Sequence, residues 1–290
     1  MATARCTWTA VSGVDGYNVY LKSNGTFVKQ NSVLITDTVY DIENLEDGNY
    51  EAYATSVLNS VESDASNVKG FEIGSVDPYA PIHGNEFTWN GFTYKVVVQD
   101  YGGGNTLAWL DRNLGASQVA ASSTDSDSYG DLYQWGRLTD GHQIRTSGTT
   151  GTLSTTDEPG HSDFILSTAT PYDWRNPQNG NLWQGENGTN NPAPPGWRLP
   201  TDPEWDTERQ SWGSNNRVGA FGSPLKLPWP GNRTRSDGSI NNVGVNGFYW
   251  SSTVDGSNAQ FLYFRDNNAL MLSGNRANGY AVRCVRDIEE

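Results

Sequence analysis

Between residues 4 and 73, apolar and polar positions alternate as a sheet with one buried face requires. Cys6-Thr7-Trp8-Thr9 reads as a strand. Tyr17-Asn18-Val19-Tyr20-Leu21, Thr26-Phe27-Val28 and Val33-Leu34-Ile35 read as three more. In Tyr50-Glu51-Ala52-Tyr53-Ala54 the period of two puts Tyr50, Ala52 and Ala54 on one face. Turn signals at Ser12-Gly13, Asn24-Gly25 and Asp47-Gly48 separate the runs. Short strands at this spacing predict a β-sandwich over residues 1–74.

Residues 75–84 contain Pro78, Pro81 and Gly84 and read as a linker to a second domain over 85–290. That region is rich in Gly, Ser, Thr, Asn and Asp, notably over 115–131, 139–162 and 175–196. Loops of this length are uncommon unless they are functional or held by many polar contacts. One helix is strongly signalled. Thr201 stands at an N-cap with Glu204 three residues on, a capping box, and Pro203 falls in the first turn, which predicts a helix over about 202–211. A second helix is expected near Ser128, including Leu132, Tyr133 and Trp135.

Near the C-terminus the phase of the pattern carries a prediction. In Ala259-Gln260-Phe261-Leu262-Tyr263-Phe264-Arg265, alternation sends Leu262 and Phe264 to one face and Phe261, Tyr263 and Arg265 to the other. With the first face in the core, the second presents two aromatics and an arginine to solvent, residue types that dominate binding hot spots. Asp266-Asn267-Asn268 reads as a turn, and Leu270-Met271-Leu272 is an apolar triplet in a polar neighbourhood. The alternative is that all of these are ordinary strand and core residues.

Composition narrows the picture. The chain has 290 residues and a formal net charge of -14, which disfavours phosphate backbones and anionic lipid as partners. No apolar run approaches the length of a membrane span and no signal peptide opens the chain. Gly 32, Trp 11 and Tyr 14, with only 18% charged residues, suit short strands, many turns and ordered loops. The two cysteines, Cys6 and Cys284, stand at opposite ends and cannot form a disulfide framework. Stability must come from a core, to which each large aromatic brings roughly 150–250 Å² of buried area.

Several phrases carry family likenesses. Trp8-Thr9-Ala10-Val11-Ser12-Gly13, Gly16-Tyr17-Asn18-Val19-Tyr20, and Leu45 with Gly48 and Tyr50 resemble a fibronectin type III domain over about 70 residues. The last trio is similar to that family's tyrosine corner, one residue short in spacing. Because almost nothing precedes the Trp strand, the resemblance implies a clipped sandwich, either cut at a boundary or completed at its edge by an upstream domain. It also implies a spacer or adhesive module.

The second domain resembles the Fibrobacter major paralogous domain family. The motifs are Trp109-Leu110-Asp111-Arg112-Asn113-Leu114, Tyr129-Gly130-Asp131-Leu132-Tyr133-Gln134-Trp135-Gly136-Arg137, Gly196-Trp197-Arg198-Leu199-Pro200-Thr201, Tyr249-Trp250-Ser251-Ser252-Thr253 and Ala281-Val282-Arg283-Cys284-Val285. The resemblance implies a mainly β, C-type-lectin-like fold related to the formylglycine-generating enzyme, with N- and C-terminal strands in one sheet, one or two short helices and long ordered loops. Residues 246–287 also resemble the variable region of diversity-generating retroelement target proteins, through Tyr249-Trp250-Ser251-Ser252, Asn258-Ala259 and Arg276-Ala277-Asn278-Gly279-Tyr280-Ala281-Val282-Arg283. That likeness implies variable side chains presented as a binding surface.

The sequence offers few candidates for chemistry. His83, His142 and His161 lack paired ligand spacing and read as surface or loop hydrogen-bonding residues. Formylglycine-type activity would need two reactive cysteines near the C-terminus, where only Cys284 stands. Relatives often carry a cysteine near Ala193; if it pairs there with one at the Cys284 position, that bridge is lost here. The carboxylate triplets of calcium-dependent sugar binding are missing. Asp125-Ser126-Asp127 with Gly130-Asp131 is similar to a calcium loop but lacks the closing acid. Gly102-Gly103-Gly104 is a plain turn. Trp109, Trp135, Trp197, Trp205 and Trp250 are assigned to the core, and Trp183, Trp212 and Trp229 to exposed loops. Arg112, Arg198 and Arg283 are expected to pin loops through contacts to carboxylates or carbonyls.

The reading is a ligand-binding protein, not an enzyme, with no cofactor and no metal, located outside the cell, on a cell surface or on a phage particle. Its partner would be a macromolecule, protein or glycan, and neither nucleic acid nor a membrane interior. The contact surface would comprise Phe261, Tyr263, Arg265, Asp266, Asn268, Leu270, Met271 and Ser273. The rivals are an invariant cell-surface structural or carbohydrate-binding protein and an oxidase or polysaccharide-active enzyme.

Overall fold

A computed structural model describes residues 2–23, 25–45, 48–73 and 84–288. The protein is mainly β, with 37% strand and 7% helix. It divides into two compact units, Met1–Ala80 and Pro81–Glu290. Apart from Gly84, the expected linker over 75–84 lies outside the described residues.

The first unit holds β1 (Ala2–Thr7), β2 (Gly16–Lys22), β3 (Val28–Lys29), β4 (Val39–Leu45), β5 (Gly48–Leu58), β6 (Val61–Glu62) and β7 (Lys69–Ile73). β1 and β4 form a two-stranded sheet; β3, β2, β5 and β6 form another, with β7 also on β5. Val19 and Leu21 from one sheet meet Ile42 and Leu45 from the other in a single core, as a sandwich requires. Tyr50 is buried there and stacks on Phe71, with ring centroids 5.6 Å apart. One expectation is corrected. Val33-Leu34-Ile35 is not a strand: Val33 and Leu34 are exposed, and Ile35 makes only an isolated bridge to Tyr17. The strand lies instead at Val39–Leu45, where Tyr40 and Ile42 turn inward.

The second unit begins with β8 (Glu86–Trp89), β9 (Phe92–Asp100) and β10 (Thr106–Leu110). Then come the short β11 (Tyr133–Gln134), β12 (Thr149–Thr150) and β13 (Phe164–Ile165), followed by the helices α1 (Asp202–Gln210) and α2 (Arg217–Gly222). It ends with β14 (Asn232–Arg233), β15 (Ile240–Asn241), β16 (Gly247–Asp255), β17 (Asn258–Phe264), β18 (Ala269–Asn275), β19 (Gly279–Tyr280) and β20 (Val285–Asp287). The first and last strands share one sheet, ordered β20, β10, β9, β8. A second sheet is ordered β16, β17, β18.

The α1 capping box forms as predicted. The Thr201 hydroxyl accepts from the Glu204 N–H at 3.4 Å, and the Glu204 carboxylate accepts from the Thr201 N–H at 2.6 Å. The helix buries Trp205, whose ring lies 4.9 Å from Trp109 in the core that also takes Leu225, Leu227, Tyr249, Leu262 and Phe264. The helix expected near Ser128 does not form. A single 3-10 turn, Ser126–Ser128, is capped by Asp125, and Gly130 follows at φ 64, a conformation that ends any helix. Leu132, Tyr133 and Trp135 are instead buried in loop and strand.

Candidate recognition surface

The β16–β18 sheet has two unlike faces, set by its register. Across the three strands Tyr249, Leu262 and Met271 form one row, and Gly247, Phe264 and Ala269 the next. These face the core, where Leu262 and Phe264 are fully buried. Gly247 permits this packing, because a Cβ there would stand 2.1 Å from the Phe264 ring.

The opposite face carries Phe248, Tyr263 and Leu270 in one row and Trp250, Phe261 and Leu272 in the other. The first row is open. Tyr263 is half-buried against Phe248, with ring centroids 5.0 Å apart, and Leu270 is 41% exposed. In the second row Leu272 is 37% exposed, but Phe261 and Trp250 are covered by Tyr280, at 4.7 and 4.3 Å between centroids. The patch therefore consists of Phe248, Tyr263, Leu270 and Leu272, and beside them Ser273 is exposed.

Beyond the strand end, the turn expected at 266–268 is closed by Arg265. Its backbone N–H donates to the Asn268 carbonyl and its Nε to Asn268 Oδ1, both at 2.9 Å. Among the described residues, the exposed Arg265 guanidinium has no acidic partner. Asp266 pairs with Arg217, which also donates to the Val245 carbonyl at 2.9 Å and lies 4.1 Å over the Trp229 ring. The apolar patch thus has a charged border held in place from α2.

Of the predicted surface residues, Tyr263, Arg265, Asp266, Leu270 and Ser273 are exposed or half-exposed together, with Asn268 half-buried in the turn. Two are corrected. Phe261 is 6% exposed, because Tyr280 folds back over it. Met271 lies opposite Leu262 and packs on the core. Phe248 and Leu272 were missed. The triplet Leu270-Met271-Leu272 has no polar member to set its phase, so only pairing with β17 decides which residues face out.

The long loops are ordered by groups whose types suggest a solvated surface. Arg283 is buried: Nη1 donates to the Leu110 and Leu225 carbonyls at 3.0 and 2.9 Å, and Nε and Nη2 to Asn113 Oδ1 at 3.1 and 2.9 Å. Arg198 forks onto Glu204, and Arg112 onto Asp111. Arg137, Arg233 and Arg276 are buried too, over the rings of Trp174, Phe164 and Trp135. The expectation that Trp183 and Trp212 are exposed is overturned. Trp183 donates its indole N–H to the Arg137 carbonyl at 3.2 Å, and Trp212 to Glu208 at 2.9 Å. Trp229 is half-buried.

His142 is fully buried, not a surface residue. Its Nε2 accepts from the Gln134 N–H at 3.0 Å, so Nδ1 carries the proton and donates to Asp140 at 2.6 Å. Burial pushes the imidazole down to about 4. Burial alone would raise the Asp140 carboxyl, but its contacts with His142 and Arg137 bring it down to about 2. Both ring nitrogens are occupied, so the dyad braces a loop. Burial pushes the Cys284 thiol far above its usual range, which leaves it inert as a nucleophile. The Asp125 carboxylate is taken up by Gln118 and by the Ala121 and Asp127 N–H groups.

Among the described residues no three His, Cys, Asp or Glu side chains converge as a metal would require. No helix among them is long and apolar enough to cross a membrane. A comparison with protein-family models finds none that matches this chain, and a comparison with curated proteins finds no significant match.

Proposed function

We propose that this chain is a ligand-recognition protein, not an enzyme, that displays a variable contact surface on a C-type-lectin-like scaffold outside the cell or on a phage particle. The contact surface is the open face of β16–β18 with the 265–268 turn, and its partner is a macromolecule. The observation that carries this reading is the division of labour across one sheet: Leu262 and Phe264 are wholly inside, while Tyr263, Leu270 and Leu272 stand outside within an apolar patch edged by Arg265. Such a layout lets outward residues change identity without disturbing the core. Aromatic and aliphatic anchors with one arginine that has no acidic partner among the described residues match the composition of interface hot spots. The retroelement resemblance over 246–287 names the source of variation.

The test is to sequence the genomic neighbourhood and further copies of the coding segment. A reverse transcriptase gene should lie beside a near-copy of the 246–287 segment that differs at adenines. Substitutions among copies should gather at positions 263, 265, 270, 272 and 273 and spare 262, 264 and 269. Absence of that gene and near-copy, or substitutions spread evenly over both faces, rejects the variable-surface reading.

A further inference from the structure

Away from that sheet, the second unit carries an open cleft of about 350 Å³. It lies against the β8–β9 hairpin, with Trp89, Phe92 and Tyr94 on one side and Tyr133, Gln143 and Asp131 on the other. The tyrosine hydroxyls are already engaged: that of Tyr94 accepts from the Gly115 N–H at 3.1 Å, and that of Tyr133 meets Thr139 at 3.2 Å. The negative charge in the lining comes from Asp131.

Asp131 is a partly buried carboxylate that no cation pairs with among the described residues. The cation that acts on it, Arg145, does so without a salt bridge and has its hydrogen bonds elsewhere. Arg145 donates to the Gly130 and Pro230 carbonyls, both at 2.8 Å, and lies 5.4 Å from the Tyr129 ring. Gln143 supplies one side-chain hydrogen bond, with its own Oε1 held by the Gly141 N–H at 2.9 Å. A carboxylate offers about four acceptor positions, so most of this one's capacity is open. Gly115 leaves it room: a Cβ there would stand 2.4 Å from Asp131 Oδ2. Burial raises the carboxyl to about 6 even though Arg145 and Gln143 both lower it, so holding the charge here carries a desolvation cost.

A visiting cation offsets that cost, and aromatic walls attract cations as well as carbon. The net charge of -14 draws cations to the surface in general. We infer that the cleft around Asp131 is a binding site for a small organic ammonium ligand, with its charge against the carboxylate and its carbon atoms against Trp89 and Phe92. Nothing in this reading depends on the β16–β18 surface.

The experiment titrates the full chain with choline and with 3,3-dimethyl-1-butanol, its uncharged isostere, followed by calorimetry and tryptophan fluorescence. Choline should bind saturably, and the isostere at least about tenfold more weakly. Asp131→Asn, nearly isosteric, should keep its melting transition and weaken choline binding about tenfold or more; Trp89→Ala should weaken it as well. Tyr263→Ala should leave it unchanged. No saturable choline binding, equal binding of the isostere, unchanged affinity in Asp131→Asn, or loss of binding in Tyr263→Ala overturns the assignment.

Discussion

In the β16–β18 sheet a period of two sorts side chains between core and surface, whereas the loops between 111 and 196 have no such period. There the order comes from buried guanidinium groups and indole N–H donors that satisfy loop carbonyls. A strand needs only apolar residues at alternate positions, because its backbone bonds to its neighbours. An irregular segment leaves carbonyls unpaired, and each needs its own donor once water is excluded. Arginine, with five donors, serves several carbonyls at once. The sheet can thus tolerate new side chains on its open face, while the loops depend on particular residues.

The largest expected effect lies in the loops. Arg283→Ala strands the Leu110 and Leu225 carbonyls and Asn113 Oδ1 in the interior, and should lower stability by about 5 kcal/mol in urea unfolding. A loss below about 1 kcal/mol would mean that the guanidinium is not what holds these segments. The sheet supplies the matched pair. Phe264→Ala should cost about 4 kcal/mol, and Tyr263→Ala, one residue away on the open face, about 1 kcal/mol or less. Equal losses would erase the distinction between the faces.

Acid should separate the two regions more gently. Folded, His142 stays neutral down to about pH 4; unfolded, it takes up a proton near its ordinary 6.5. Between those values the unfolded chain binds more protons, so stability present above pH 6.5 falls by about 2–3 kcal/mol as pH drops to 4. Asp140 adds a further loss as pH falls from 3.8 toward 2. Hydrogen exchange at pH 5 should show the 139–165 loop opening before β16–β18, and His142→Gln should flatten the slope between pH 6.5 and 4. A slope unchanged in that variant would assign the acid sensitivity to another group.

Much of this was legible beforehand where neighbours in the chain decide the outcome. Thr201 and Glu204 announced a helix start three residues wide, and the box formed. The phase of Leu262 and Phe264 was readable from the period of two together with the polar residues Gln260 and Arg265 at the ends of the apolar run, and the register with both neighbouring strands agrees. Phe261 shared the outward phase and still became buried, because Tyr280, 19 positions along the chain, lies over it. Trp183 and Trp212 were misjudged for the same reason: their surroundings in sequence are polar, and their surroundings in space are not.

What the chain's own pattern determined is the mainly β character, the α1 cap and the two-faced C-terminal strand, since periodicity and capping act over a few residues. Only the tertiary structure decided which outward positions stay open, which arginines lie inside, and that Asp131 faces a cleft rather than an ion-pair partner. Burial is a property of segments far apart in sequence that exclude water together, and no local window contains both sides of that contact.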